Sequence, residues 1–381
     1  MKVLFACGGT AGHINPALAV ATRLKSENSD VQIQFVGNPE KMEARLVPAA
    51  GFDFVPLKIE GFQRRISTEN IKRNLSAIHC LMRSTKEVKR ILAQFKPDVV
   101  VGTGGYVSGP VLRQAAKQDI PTLTHESNAY PGVTTKILAR YVDCVLLAVS
   151  EAKAHLPKKA HCVVTGNPIR PEILDAKRAA SRERLRVGDK ICILSLGGSL
   201  GAQRINEAMA ELIAATYLHD KNANLHYIHA TGRYGADSFP EMLAAKHVPA
   251  DCESLDIREY IDDMADCLAA ADLVICRSGA MTLTELQAAG RASILIPSPN
   301  VSENHQYHNA MVLANRGAAV VVEESRLAGD LLYDTVKSLM SDPQKLVDMG
   351  LKAQSLAVTD ADSRICDEIY RIHDAKLKIK S

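Results

Sequence analysis

The sequence predicts an α/β protein of two domains, each built on a parallel sheet, and three observations carry that expectation. Short, wholly apolar runs such as Val99–Val101 and Leu273–Cys276 read as strands buried on both faces, as parallel sheets require. Such runs end in glycine-containing turns followed by apolar residues at helical spacing. The opening pattern also occurs twice, as a strand with Gly8-Gly9-Thr10-Ala11-Gly12 and again as a strand with Gly197-Gly198-Ser199-Leu200-Gly201. A chain of 381 residues exceeds one compact unit, and an apolar fraction of 46% supplies two cores.

Composition narrows the function classes. The net charge is only +3, so no globally basic surface and no nucleic-acid partner are expected. Nine cysteines occur without a C-x-x-C pair, which fits a reducing compartment rather than a disulfide framework or a zinc site. The apolar stretch before Cys7 is too short for a signal segment, and no run approaches the length of a membrane span. Any membrane contact is therefore expected to be peripheral.

Taken in order, Lys2–Cys7 reads as a strand, and Pro16 suits the first turn of a helix reaching Lys25. The glycines between them let backbone amides approach an anion, and His13 projects into the same space. Neither the dinucleotide fingerprint G-x-G-x-x-G nor a phosphate-loop Gly-Lys-Ser/Thr is present, which disfavours a nicotinamide-dependent dehydrogenase. Strands are expected at Val31–Val36 and Phe52–Leu57, with a helix near Glu40–Ala49 between them. Residues 58–96 then carry ten Lys/Arg against three acids, with Ile71, Leu75, Ile78, Leu81 and Met82 at helical spacing. A basic amphipathic helix of this kind suits an anionic membrane surface, although it also suits a solvated helix packed on a sheet.

Pro97–Val101 is the next strand, and Gly102, Gly104, Gly105 and Gly109 offer a second open backbone surface around Tyr106 and Ser108. Pro121–Thr124 follows and delivers His125, Glu126 and Asn128 to a strand's carboxyl end, where ligands bind in open α/β sheets. No H-E-x-x-H metal pattern accompanies them. Strands at Cys144–Val149 and His161–Val164 close this half, and the turn-rich Thr165–Pro171 is the expected domain boundary.

The second half restarts with Lys190–Leu196 and a helix through Ala215, followed by strands at Leu225–His229 and Ser254–Ile257. After Leu273–Cys276, the Arg277-Ser278-Gly279 turn opens a helix over Met281–Ala289, stopped by Gly290. Its amino end, with Ser278, Thr282 and Thr284, forms a natural phosphate site. Glu285 lies one turn in, placed to cap the helix or to accept hydrogen bonds from ribose hydroxyls. A strand at Ile294–Ile296 leads to Gln306 and Asn309, three apart and so on one helical face. A diphosphate site, an acid and two amide side chains in one passage suggest a nucleotide-sugar pocket. Ala318–Val322 is the last strand, and residues 326–376 read as helices broken at Asp342-Pro343. The only D-x-D, Asp360-Ala361-Asp362, precedes the last of them and reads as a cap.

Seven segments together resemble the MurG family of UDP-N-acetylglucosamine transferases: GGTAGHINPALA (8–19), VGTGGYVSGP (101–110), HESNAYPG (125–132), GNPIR (166–170), LGGSLGAQRIN (196–206), CRSGAMTLTEL (276–286) and HQYHNA (305–310). They stand in the family's order and span nearly the whole chain. Two positions depart from the pattern: Thr135 stands where the family usually has Asn, and Leu200 where it usually has Gln.

The resemblance implies a GT-B glycosyltransferase, with two Rossmann-like domains whose parallel sheets face each other across a cleft. Residues 1–165, with a C-terminal helix from about 358 packing back, would take the acceptor lipid I, and 166–357 would bind UDP-GlcNAc. GlcNAc would pass with inversion to the C4 hydroxyl of MurNAc, giving lipid II. Ile261 would meet uracil through its backbone, and Glu285 would hold ribose. Ser199 and the passage Ala280, Met281, Thr282, Leu283 and Thr284 would receive the diphosphate, with Gln306 and Asn309 reading sugar hydroxyls. Thr10, Ala11, Gly12, Asn128 and Arg170 would complete the donor site. Gly8, Gly9, Gly104, Gly105, Tyr106 and Ser108 would face the acceptor diphosphate. The general base would be His13, or else His125 with Glu126. No cofactor and no obligatory metal is implied. The protein would work at the cytoplasmic face of the bacterial membrane, held to anionic inner-leaflet lipid by residues 58–96. A GT-B enzyme with another acceptor and a non-catalytic nucleotide-sugar sensor are the alternatives.

Overall fold

The structure, a computed structural model, describes residues 1–59, 84–219, 224–249, 252–327 and 331–380. The described chain divides into two compact units, Met1–Pro168 with Val358–Ser381, and Ile169–Ala357. The apolar positions Ile71, Leu75, Ile78, Leu81 and Met82, and the basic Arg64, Arg65, Lys72 and Arg73, lie outside the described residues.

The first unit runs β1 Lys2–Cys7, α1 Ala11–Glu27, β2 Gln32–Gly37, α2 Glu43–Ala49, β3 Asp53–Pro56, helical residues 84–95 (α3), β4 Val99–Gly104, α4 Ser108–Ala116, β5 Thr122–Glu126, α5 Val133–Leu138, β6 Cys144–Leu147 and β7 Cys162–Val164. Its strands pair in parallel in the order β3-β2-β1-β4-β5-β6-β7. The pleat of β1 sends Val3 and Phe5 to one face and Leu4 and Ala6 to the other. Val3 and Phe5 meet Ile14, Ala17 and Leu24 of α1, and Phe5 stacks on Phe35 with ring centroids 5.1 Å apart. Leu4 and Ala6 meet Val88, Ile91 and Leu92 of α3 and Leu112 of α4.

The second unit runs α6 Pro171–Asp175, α7 Arg178–Arg184, β8 Ile191–Leu196, α8 Gln203–His219, β9 Leu225–Ala230, α9 Ser238–Ala245, β10 Leu255–Arg258, α10 Met264–Ala270, β11 Leu273–Cys276, α11 Ala280–Ala289, β12 Ala292–Leu295, α12 His305–Ala314, β13 Ala319–Val321, α13 Leu331–Met340 and α14 Pro343–Gln354. Its sheet order, β10-β9-β8-β11-β12-β13, repeats the first unit's plan, again with parallel pairs. Asp342 caps α14 by accepting the Lys345 N–H, and Pro343 begins that helix, as the Asp-Pro break predicts. The last helix, α15 Ala361–Lys380, returns to the first unit. There Ile365, Cys366 and Ile369 join the core under α1.

Two boundaries differ from expectation where they touch function. Helix α1 begins at Ala11 rather than Pro16, so His13 sits in its first turn and Pro16 lies inside it. Pro16 has no N–H for the Gly12 carbonyl, which costs one bond near the amino end rather than in mid-helix. Strand β5 runs on through His125 and Glu126 because the sheet pairs Glu126 with Leu147. These two residues are therefore buried strand residues and not loop residues.

Candidate active site

In both sheets the strand order reverses beside the opening strand, between β1 and β4 and between β8 and β11. Ligands of open α/β sheets bind beyond the strand carboxyl ends at such points. The paired glycine turns lie there, each at the end of its unit's opening strand.

In the first unit, Thr10 is the extended residue before α1, and the N–H groups of His13 and Ile14 both return to its carbonyl. The amides of Ala11 and Gly12 stand at the open helix end. Nδ1 of His13 lies 3.1 Å from the Gly8 carbonyl oxygen and 3.4 Å from Thr10 Oγ1. A carbonyl only accepts, so Nδ1 carries the proton and Nε2 keeps its lone pair. Thr103 fixes the same turn by donating to the His13 carbonyl at 2.6 Å. The glycines of the β4–α4 turn make room for this. A Cβ on Gly104 would lie 2.5 Å from His13 Cδ2, and one on Gly105 would lie 2.3 Å from the Gly8 oxygen. Ser108 is fully buried, with its Oγ 2.7 Å from the Ala6 carbonyl and 2.8 Å from that of Gly104. It therefore braces the turn, whereas Tyr106 is exposed at the tip.

The other base candidates are placed differently. His125 is 2% exposed, and its Nε2 donates to the Gly166 carbonyl at 2.9 Å. Burial pushes its pKa down, and its Nδ1 has no hydrogen-bond partner among the described residues. Both oxygens of Glu126 are engaged. One accepts the backbone and side-chain N–H of Asn128 at 3.1 and 3.0 Å, and the other accepts Gly132 N–H at 3.0 Å and Thr135 Oγ–H at 2.6 Å. Glu126 thus organises the loop that holds Asn128, and Thr135, the departure from the family pattern, supplies a donor to it.

In the second unit the amino end of α11 is open. Leu283 N–H is bonded to the Gly279 carbonyl, so the amides of Ala280, Met281 and Thr282 precede the helical ladder, and no acid lies in the first turn. Gly290 ends the helix at φ 63°. The facing Ser199 turn is pinned by its carbonyls: Ser199 and Leu200 accept the N–H groups of Arg233 and Tyr234 at 3.4 and 3.2 Å. Leu200 itself is exposed. Leu283 and Ile261 are buried side chains of the core, which leaves only their backbones to a ligand. Thr284 Oγ donates to the Ala280 carbonyl at 3.0 Å.

Glu285 Oε1 accepts Arg170 Nε and Nη2, both at 2.8 Å, so Arg170 belongs to this unit's site. Burial pushes the Glu285 carboxyl above the usual carboxylate range, against the pull of Arg170. Gln306 Oε1 accepts Ser298 N–H at 2.9 Å, and Asn309 Nδ2 donates to the Ser278 carbonyl at 3.2 Å. Both therefore lie on the face of α12 turned to the β11 and β12 ends.

Two residues escaped the sequence reading. Arg277 donates to the Ile296 and Pro297 carbonyls at 3.2 and 3.3 Å and pairs with Glu324, tying together the ends of β11, β12 and β13. An arginine directly after an all-apolar strand was the available signal. Glu43, 1% exposed, accepts Gly9 N–H at 3.1 Å and Asn38 N–H at 3.0 Å. The Gly9 amide is thus committed to a buried carboxylate, and no spacing in the sequence announces that contact.

Residues 3–147 match the glycosyltransferase family 28 N-terminal domain, and residues 192–365 match the family 28 C-terminal domain. A UDP-N-acetylglucosamine–N-acetylmuramyl-(pentapeptide) pyrophosphoryl-undecaprenol N-acetylglucosamine transferase of Acetivibrio thermocellus is 44% identical, over 98% of each chain. The enzyme of the same name from Desulforamulus reducens is 42% identical, over 98% of this chain and 99% of its own. The crystal structure of Acinetobacter baumannii MurG is similar with a TM-score of 0.78 and 31% identity, covering 97% of this chain and 99% of that one.

Proposed function

We propose a function on the premise that this chain belongs to glycosyltransferase family 28, and within it to the MurG family of N-acetylglucosamine transferases. The protein transfers GlcNAc from UDP-GlcNAc to the C4 hydroxyl of MurNAc in lipid I, forming lipid II with inversion at the anomeric carbon. The observation that carries this reading is the amino end of α11. Three open amides, no acid in the first turn, and Glu285 and Gln306 in the same passage suit a nucleoside-diphosphate sugar.

The second unit holds the donor. Ile261 meets uracil through its backbone, Glu285 with Arg170 receives the ribose, and Gln306 and Asn309 read the sugar. As the bond to the anomeric carbon breaks, charge grows on the departing UDP. The α11 amides and the Ser199 turn, fixed before the reaction, stabilise it. The first unit supplies the acceptor surface from Gly104, Gly105 and Tyr106, while Thr10, Ala11, Gly12 and Asn128 complete the donor site. The hydroxyl attacks as its proton passes to His13 Nε2, a role supported by the Nδ1 bond to Gly8. The engagement of both Glu126 oxygens and the burial of His125 favour His13 over them.

Residues 58–96 dock the protein on anionic lipid of the inner leaflet, where a lipid-linked acceptor is confined. What supports this is the excess of basic residues in that segment. Among the described residues no helix is long and apolar enough to cross a membrane. The reaction is tested with an acceptor analogue lacking the C4 oxygen. UDP release should stop with it and proceed with the parent analogue, and equal release from both would refute the reading.

A further inference from the structure

The carbonyl that holds His13 and the amide that meets Glu43 belong to one peptide group, the bond between Gly8 and Gly9. His13 Nδ1 lies 3.1 Å from the Gly8 oxygen, and Gly9 N lies 3.1 Å from Glu43 Oε2. No peptide bond among the described residues is cis, so this carbonyl and N–H point in opposite directions. The group therefore stands between imidazole and carboxylate, bonded to each. Glu43 Oε1 accepts Asn38 N–H, so both carboxylate oxygens receive backbone donors, as an ionised carboxylate does. The fit leaves little freedom: a Cβ on Gly8 would lie 2.2 Å from Glu43 Oε1, and one on Gly37 would lie 2.5 Å from Glu43 Cγ.

We propose that Glu43 is a positioning residue for His13, acting through the Gly8–Gly9 peptide group as a relay. A carboxylate on the N–H polarises the amide and makes its carbonyl a stronger acceptor, since hydrogen bonds in a chain reinforce one another. The stronger acceptor holds the Nδ1–H tautomer and stabilises the imidazolium formed when Nε2 takes the acceptor hydroxyl's proton. Nδ1 keeps its own proton throughout, and none passes to Glu43. The relay thus does for this histidine what a directly bonded carboxylate does elsewhere, with one peptide between them.

Other titratable groups face the same turn. Cys7 from β1 has its thiol pushed up by burial and by Glu43, so it stays neutral. His125 from β5 has its pKa pushed down by burial and by His13, so it too stays neutral. Tyr106 stands in the β4–α4 turn, and the first turn of α1 holds no acid. Glu43 is the group here whose charge supports an imidazolium.

The inference rests on His13 as the base, and its test separates the two claims. In the parent protein, ring-nitrogen NMR of labelled histidine, assigned by comparison with His13→Ala, should show the Nδ1–H tautomer. An Nε2–H tautomer would overturn the relay whatever the kinetics. In Glu43→Gln, the share of His13 in the Nδ1–H tautomer should fall, because its acceptor is weaker. The acid limb of the kcat profile should move to lower pH in that variant. Its kcat should fall about tenfold, with the KM for UDP-GlcNAc nearly unchanged. Glu43→Asp, which keeps the charge, should stay closer to the parent in the acid limb than Glu43→Gln. If both variants lose kcat alike while the His13 tautomer and the acid limb stay as in the parent, Glu43 is only a structural brace and the relay is wrong. A changed His13 tautomer in Glu43→Gln together with full activity of His13→Ala would leave the relay standing and remove His13 as the base.

Discussion

Nδ1 of His13 lies 3.1 Å from the carbonyl oxygen of Gly8, a contact that decides which ring nitrogen is free for chemistry. The bond exists because α1 begins at Ala11, so that the first helical turn folds His13 back over the glycine strand end. The Gly104-Gly105 turn leaves the space into which the ring fits.

His13→Ala should lower kcat by about 10²–10⁴-fold, the usual cost of removing a general base. The KM for UDP-GlcNAc should change little, because the residues proposed to hold uracil, ribose and sugar, Ile261, Glu285, Gln306 and Asn309, belong to the other unit. Steady-state kinetics at saturating donor measure both. Near-parental turnover would return the role to His125 or Glu126.

Arg170 and Glu285 give a pH prediction. Burial raises the Glu285 pKa in the folded state, so its proton is held more tightly there than in the unfolded chain. Its ionisation therefore costs stability as pH rises through the raised value, and the cost is absent below the ordinary carboxylate range. Glu285→Gln should melt no lower than the parent at neutral pH while weakening donor use at least several-fold. In the parent, the donor KM should rise on acidification before ordinary carboxylates titrate. Arg170→Ala removes the opposing pull and should move that rise to higher pH.

The Thr135–Glu126 bond predicts a stability effect apart from chemistry. Thr135→Val removes a 2.6 Å donor to a buried carboxylate and should cost about 1.5–3 kcal/mol in urea unfolding. Thr135→Asn, the residue usual in the family, keeps a donor and should cost less. Equal losses would mean that the hydroxyl contributes only packing.

Much of this was legible in the chain. Parallel strands such as Leu273–Cys276 announce themselves because burial on both faces demands an unbroken apolar run. Gly290 marked the end of α11 because a left-handed residue there favours glycine. Gln306 and Asn309 fell on one helical face by spacing alone. The start of α1 was hidden because Gly12 and Pro16 both read as poor helix formers, while the core under Ile14 and Ala17 outweighs them. His125 and Glu126 looked like loop residues because a polar pair ending a strand gives no sign of its sheet partner. Glu43 was invisible for the same reason, since its contacts with Gly9 and Asn38 depend on tertiary packing.

Membrane docking is tested by co-sedimentation with vesicles. Binding to anionic vesicles should exceed binding to neutral ones and weaken with salt, since surface charge is screened within about 8–10 Å at moderate ionic strength. Charge reversal at Arg64, Arg65, Lys72 and Arg73 should release the protein, each basic residue near the surface being worth about 1 kcal/mol. Transfer to a water-soluble acceptor should survive that change. Binding indifferent to lipid charge and salt would rule out this segment as the anchor.

The most direct test of the account is UDP release by the purified protein given UDP-GlcNAc and a short-chain lipid I analogue. The account predicts release that depends on the analogue and matches, mole for mole, a disaccharide product with GlcNAc on the C4 oxygen in inverted configuration. Release that ignores the analogue, or a product with retained configuration, would contradict it.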